Sequence, residues 1–246
     1  MIELYYCALA ILNLTLIYAS FQDVMTRRIP FYVWYPLIGF GGISTLTFIY
    51  YNFYTLDLMT NVIIMASVIT FYILGTLRIL GGADAWALIF ITIFTIPLFS
   101  STVGDGIGIT TYTNALILSA IVYPIYNYYY NSKPNGILYA PWYYLIFARR
   151  IAGKDILKHY GYILPDNRYV DTKTFLWDRQ DTLKLVYTKN LIDNQEKFKE
   201  EIARYQKYDD KIWILPAIPF ILFITLGFLI AFFVGDLIYL SVGMFL

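Results

Sequence analysis

Cysteine and histidine are nearly missing from this sequence: Cys7 and His159 are the only ones in 246 residues. One cysteine excludes a disulfide framework or a cysteine-rich zinc module, and one histidine argues against a His-based metal site or triad. His159, between Lys158 and Tyr160, reads as a surface residue, and Cys7 as a small packed apolar side chain. Charge is scarce too, at 14% of residues against roughly 25% in soluble domains. A net charge of +1 supplies no field that would draw nucleic acid. What abounds is apolar surface, 59% of residues, with 20% aromatic. That is the composition of a membrane protein, in which carboxylates are the main side chains left for chemistry.

A helix that crosses a bilayer needs about 20 mostly apolar residues. Six stretches qualify: Ile2–Phe21, Pro30–Tyr51, Met59–Ile79, Ala85–Val103, Thr111–Tyr130 and Trp213–Phe233. Tyr and Trp crowd their ends (Tyr5, Tyr6, Tyr50, Tyr51, Tyr128, Tyr129, Tyr130, Trp213), where an apolar ring with a polar tip suits the interface. The first stretch begins with Glu3 and no basic residue, so it reads as an uncleaved span and not as a signal peptide. The fold class expected is therefore an all-α polytopic membrane protein of six transmembrane helices.

Of the 18 Lys and Arg residues, 15 lie between Asn131 and Ile212; the others are Arg27, Arg28 and Arg78. Six spans put all of them on one side of the membrane. The loops around Asp57 and Asp105, on the other side, have none. Basic loops stay in the cytoplasm, so the N- and C-termini are expected outside. Three parts follow: residues 1–130 with five spans, a cytoplasmic polar insertion at 131–212, α or α+β, and residues 213–246 with the sixth span. Within the insertion, Trp142 to Arg150 reads as an amphipathic segment on the headgroups. Phe198, Ile202 and Tyr205 mark an amphipathic helix from Asn194 to Lys207.

Ionisable groups in or bordering a membrane are costly, and are functional candidates by default. Asp23 follows the first span in Phe21-Gln22-Asp23-Val24-Met25-Thr26-Arg27-Arg28-Ile29-Pro30, and Asp84 opens the fourth in Leu80-Gly81-Gly82-Ala83-Asp84. The charge pattern puts both at the cytoplasmic face. Two close carboxyls share one proton; the ionised one takes a proton from water while the protonated one donates to a carbonyl. Such a dyad hydrolyses peptides with no metal or cofactor. Gly81, Gly82 and Ala83 let the backbone approach a neighbouring helix or an extended substrate closely. They also set Asp84 near a helix N-terminus, favouring its ionised form, while Asp23 near a helix C-terminus is expected to hold the proton. The plainer alternative is an interfacial acid paired with Arg27 or Arg28 at position 23, and a helix cap at position 84.

These residues carry a family likeness. Gln22-Asp23 with Arg27-Arg28-Ile29-Pro30, Gly81-Gly82-Ala83-Asp84, and Pro216-Ala217-Ile218-Pro219 before the last span resemble the archaeal type IV prepilin and preflagellin (prearchaellin) peptidases, GxGD-type membrane aspartyl proteases. The resemblance extends over the six-span layout and the polar block before the last helix. It departs at Ala83, where the strict motif has glycine. It implies Asp23 and Asp84 as the catalytic pair and an active site at the cytoplasmic face of the cell membrane. The partners it implies are pilin- or archaellin-like precursors whose short basic leader precedes a hydrophobic helix. Bacterial relatives add a Cys-rich methylating region, which this chain with Cys7 alone does not suggest.

Other candidates have plain readings. Asp105 in Gly104-Asp105-Gly106 is a turn on the opposite side, Asp236 a solvated helix-end acid, and Pro216 and Pro219 suit a helix's first turn or a kink. Arg27 and Arg28 are topology determinants that are also placed to tune Asp23. Asp209 and Asp210 either attract a basic leader or form a solvated hinge. Three rivals remain: a proton-coupled carrier using the same two acids, a presenilin-like intramembrane protease, and a non-catalytic scaffold binding partners through its polar block.

Overall fold

The computed structural model describes residues 2–43, 46–47, 50, 58–77, 79–95, 106–132, 142–152, 161–163, 184–185 and 211–243. The chain is mostly helical, with one small sheet. Its elements are α1 (Ile2–Thr26), a 3-10 turn (Phe31–Trp34), a π turn (Leu37–Gly41), α2 (Leu58–Thr76), α3 (Gly82–Phe94), α4 (Ile107–Asn131) and α5 (Trp142–Phe147). Strands β1 (Arg149–Ala152), β2 (Gly161–Ile163), β3 (Lys184–Leu185) and β4 (Lys211–Pro216) follow, then α6 (Phe220–Phe233) and α7 (Leu237–Gly243). Among the described residues, two helical stretches, Tyr6–Thr26 and Ile107–Asn131, are long and apolar enough to cross a membrane; Val62–Thr76, Gly82–Phe94 and Phe220–Phe233 are shorter apolar helices. The chain divides into one compact unit of residues 1–119 with 219–246 and a second of residues 120–218.

In the first unit, α3 is the central helix. Ala85, Ala87, Leu88, Ile89, Phe90, Ile91 and Phe94 are all buried, as expected of a helix apolar on every side. Around it, α1 turns inward a stripe of Ala8, Leu12, Leu16 and Ala19, spaced three and four apart. Ile221, Ile224 and Phe228 form the matching stripe of α6. By contrast, α2 leaves Val62, Met65, Ile69, Tyr72 and Ile73 exposed. A largely apolar outer surface of this kind, interrupted by Thr70 and Thr76, suits lipid. Cys7, expected packed, is exposed on α1; it sits beside the inward stripe, and a lipid-facing position requires no burial.

Helices in this unit meet over small residues. A Cβ on Gly75 would come within 2.7 Å of Ala85 Cβ, and one on Gly227 within 2.6 Å of the Thr111 carbonyl and 2.9 Å of the Ala115 amide nitrogen. At Gly227 the obstacle is backbone, which no rotamer change relieves. Gly227→Ala is therefore expected to lower stability by about 1–3 kcal/mol, read as a fall in thermal midpoint in detergent. An unchanged midpoint would mean that α4 and α6 have room to separate. Beyond α6, fully buried Asn114 donates to the Gly235 carbonyl at 3.0 Å and accepts from the Leu237 amide at 3.0 Å. It thereby ties the break between α6 and α7, where Gly235 has a φ of 106°. Asp236 accepts from the Ile238 amide at 2.7 Å, so this helix-end acid caps α7.

The second unit holds the antiparallel sheet, in the order β1-β4-β2-β3. Arg150 pairs with Trp213 and Tyr162 with Leu215. The described part of the 131–212 insertion is thus α+β. Two expectations change here. The stretch from Trp142 to Arg150 is a six-residue helix that gives way to a strand, because Arg149 to Ala152 find partners in β4. The last helix, expected from Trp213, starts at Phe220, since Lys211–Pro216 is a strand and Pro216 ends it. Pro219 does stand at the helix start, as its N-cap. At the α4 end of this unit, the Arg149 guanidinium lies over the rings of Tyr126 (4.5 Å), Tyr130 (5.3 Å) and Tyr123 (5.9 Å) and donates to Asn127 Oδ1 at 2.9 Å. Asn131 donates to the carbonyls of Leu145 and Ala148 at 2.9 and 2.7 Å, fastening α5 to the end of α4. The expected Asn194–Lys207 helix, His159 and Asp105 lie outside the described residues.

Candidate active site

The start of α3 explains its own sequence. Gly81 is the N-cap, so Asp84 occupies the third helical position. From there its carboxyl folds back over Gly81, near enough for the Gly81 amide to act on its charge, the position from which a third-position acid closes a capping box. A Cβ on Gly81 would stand 2.6 Å from Asp84 Oδ2. The glycine thus leaves room for the carboxyl that folds over it, which would otherwise have to move. Gly82 has open space where a Cβ would go, and Ala83 packs, partly buried, against the core. Close helix approach is supplied one residue past Asp84, at Gly75 and Ala85.

Asp23 lies in the last turn of α1, but its carboxyl belongs to another helix. Oδ2 accepts from the Ile221 amide at 3.2 Å, 198 residues away in sequence. Ile221 is the second residue of α6, whose N-cap, Pro219, offers no side-chain hydrogen bond. Asp23 thus fills the place of the missing cap from across the helix interface. Both candidate acids therefore stand at the positive end of a helix, Asp84 of its own and Asp23 of α6. For Asp23 the N-terminal end of α6 offsets the C-terminal end of α1, and with it the dipole asymmetry expected from sequence. Arg27 also acts on Asp23 through its positive charge. Its backbone is left-handed, with a φ of 53°, and its amide donates to the Asp23 carbonyl at 3.1 Å, ending α1.

Asp23 and Asp84 are near enough for the charge of one to act on the other, and α1 touches α3. Aromatic rings brace the intervening turn. Phe31 meets Trp86 edge-on at 5.7 Å, Trp86 stacks on Phe90 at 5.7 Å, and Phe90 stacks on buried Trp34, also at 5.7 Å. The turn that follows Asp23 is thereby held against the first turns of the helix carrying Asp84. Arg28 is exposed just past α1, its amide 3.3 Å from Thr26 Oγ1. Asp209 and Asp210 lie outside the described residues. Sequence reasoning missed Ile221, whose contribution is a backbone amide that any residue except proline carries. The available signal was Pro219, which marks a helix start with no side chain to cap it.

Two family models match, and both describe peptidases: "Type IV leader peptidase family" over residues 10–127 and "Archaeal Peptidase A24 C-terminus Type II" over residues 140–237. The chain belongs to the archaeal prepilin/preflagellin peptidase family. It is similar to the preflagellin peptidase of Methanococcus voltae, 28% identical over 243 residues that cover 93% of this chain and 95% of the relative. It is also similar to that of Methanococcus maripaludis, 26% identical over 233 residues that cover 91% and 93%. The first match contains Asp23 and Asp84, and the second contains the start of α6 that meets Asp23. Membership makes this chain a protease of the leader-peptidase class.

Proposed function

We propose that this chain is an aspartyl endopeptidase with six membrane spans, and that Asp23 and Asp84 are its catalytic pair. Its substrates on this reading are pilin- or archaellin-like precursors, cut between a short basic leader and a hydrophobic helix. The observation that carries the reading is the nearness of two carboxyls, each held at a helix N-terminus in one family-matched region. Burial disfavours charge on both acids, but at Asp23 it is opposed by Arg27, the Ile221 amide and the α6 N-terminus, so in this arrangement Asp23 carries the negative charge. Asp84, facing that charge, holds the shared proton. This reverses the expectation drawn from the two helix ends alone.

The chemistry follows from that division. A water between the carboxyls gives a proton to Asp23 as its oxygen attacks the scissile carbonyl carbon, while Asp84 donates its proton to the carbonyl oxygen. The tetrahedral intermediate collapses as the C–N bond breaks, and Asp23 returns its proton to the leaving amine. The intermediate's hydroxyl proton passes back to Asp84. With every basic loop inside, this happens at the cytoplasmic face, with both termini outside.

The test is incubation of the purified protein in lipid with a precursor whose Lys/Arg-Gly leader precedes an apolar helix. Cleavage at the leader junction, read by mass spectrometry of the new N-terminus, is the expected result. An intact precursor would reject the reading.

A further inference from the structure

One turn below Asp23, the interface of α1 and α6 contains a buried pair of hydroxyls. Ser20 Oγ and Thr225 Oγ1 are 2.7 Å apart, and each residue is only 6% exposed. Both lie among fully buried apolar side chains, Leu16, Ala19, Ile221 and Ile224. Each hydroxyl has a single proton to donate. Ser20 Oγ lies 2.8 Å from the Leu16 carbonyl of its own helix and 3.4 Å from that of Ile221; Thr225 Oγ1 lies 2.9 Å from the Ile221 carbonyl of its own helix and 3.3 Å from that of Leu16. When Ser20 donates to Thr225, Thr225 donates to the Ile221 carbonyl, and the amide of the same residue donates to Asp23.

We infer that Ser20 and Thr225 are positioning residues for Asp23, which goes beyond the assignment of the acids and rests on the proposed protease reading. Apolar stripes alone permit α6 to slide or rotate against α1 at small cost, since packed apolar side chains are not directional. A hydroxyl pair surrounded by hydrocarbon is directional: a displaced register leaves each hydroxyl the carbonyl of its own helix but forfeits the 2.7 Å bond that joins α1 to α6. The pair therefore fixes α6 where its second amide meets the Asp23 carboxyl, and so fixes both the place of Asp23 and the donor that supports its charge.

Thr225→Val removes the hydroxyl at nearly constant volume, and Thr225→Ser keeps it. Expected for Thr225→Val is a fall in kcat of about tenfold with KM unchanged, and an acid limb of the kcat profile displaced upward by about one pH unit as the amide donor drifts from Asp23. Thr225→Ser restores both. A second readout requires no turnover: the infrared carboxylate band identified by its loss in Asp23→Asn shifts in Thr225→Val and returns in Thr225→Ser. Ser20→Ala, a smaller change, carries the same readouts should Thr225→Val not fold. If kcat stays within twofold and the band does not move, the inference is overturned; a Thr225→Ser variant as impaired as Thr225→Val overturns it as well. A wild-type protein that leaves the precursor intact would reject the protease reading while the infrared comparison still decides the positioning role.

Discussion

Asp23→Asn and Asp84→Asn are each expected to lower leader cleavage by a factor of about 10³ or more, in proteins that remain folded. The size follows from the mechanism. General acid–base catalysis by a positioned group contributes about 10²–10⁴-fold, and a dyad that shares one proton works as a unit, so losing either member disables both transfers. Asparagine keeps the shape, and at position 23 its amide oxygen still accepts from the Ile221 amide. Retained thermal midpoints beside lost cleavage would separate catalysis from folding. The two single variants and the double variant should be about equally inactive. A single variant retaining a tenth of the wild-type rate would mean that its acid is a cap and no more.

Gly81→Ala is expected to lower kcat by about 10²-fold with little loss of stability. The added methyl group would stand 2.6 Å from Asp84 Oδ2, so the carboxyl must rotate away from both the Gly81 amide and the Asp23 side. Displacement of a reacting group by about 1 Å can cost that much. The backbone at Gly81 has φ −59° and ψ 144°, which alanine adopts without strain, so the fold itself tolerates the change. Gly82→Ala provides the internal comparison, since no atom lies within 4 Å of the new Cβ; its kcat should stay within about threefold of wild type. Equal damage at both positions would point to a substrate backbone passing over the whole motif.

Much of the site could be read in the sequence because its chemistry is scarce there. Among so few charges, Asp23 and Asp84 stand out as acids beside apolar runs, and the glycine before Asp84 is a local requirement of the same few residues. What escaped is what sequence distance and backbone conceal. The Asp23–Ile221 bond joins residues 198 apart through an amide with no side-chain signature. Ser20 and Thr225 are small polar residues of a kind scattered through many apolar helices. The strand at Lys-Ile-Trp-Ile-Leu-Pro was hidden for another reason. A short unbroken apolar run has no period that separates strand from helix, and here it leads directly into a helix of the same character. Cys7 was misplaced inside because burial rules for water do not bind a surface that faces hydrocarbon.

The bond between Asp23 and the start of α6 also has a meaning in time. Asp23 is made before its amide partner, which lies 198 residues further along the chain. At about 5–20 residues per second, the ribosome needs on the order of 10–40 s to bridge the 198 residues between them. Until α6 has been inserted, the acid lacks both its donor and the helix end that supports its charge. On the proposed reading, a chain that has not yet made α6 holds its two carboxyls without that support, and competence to cut arrives only once α6 has packed against α1.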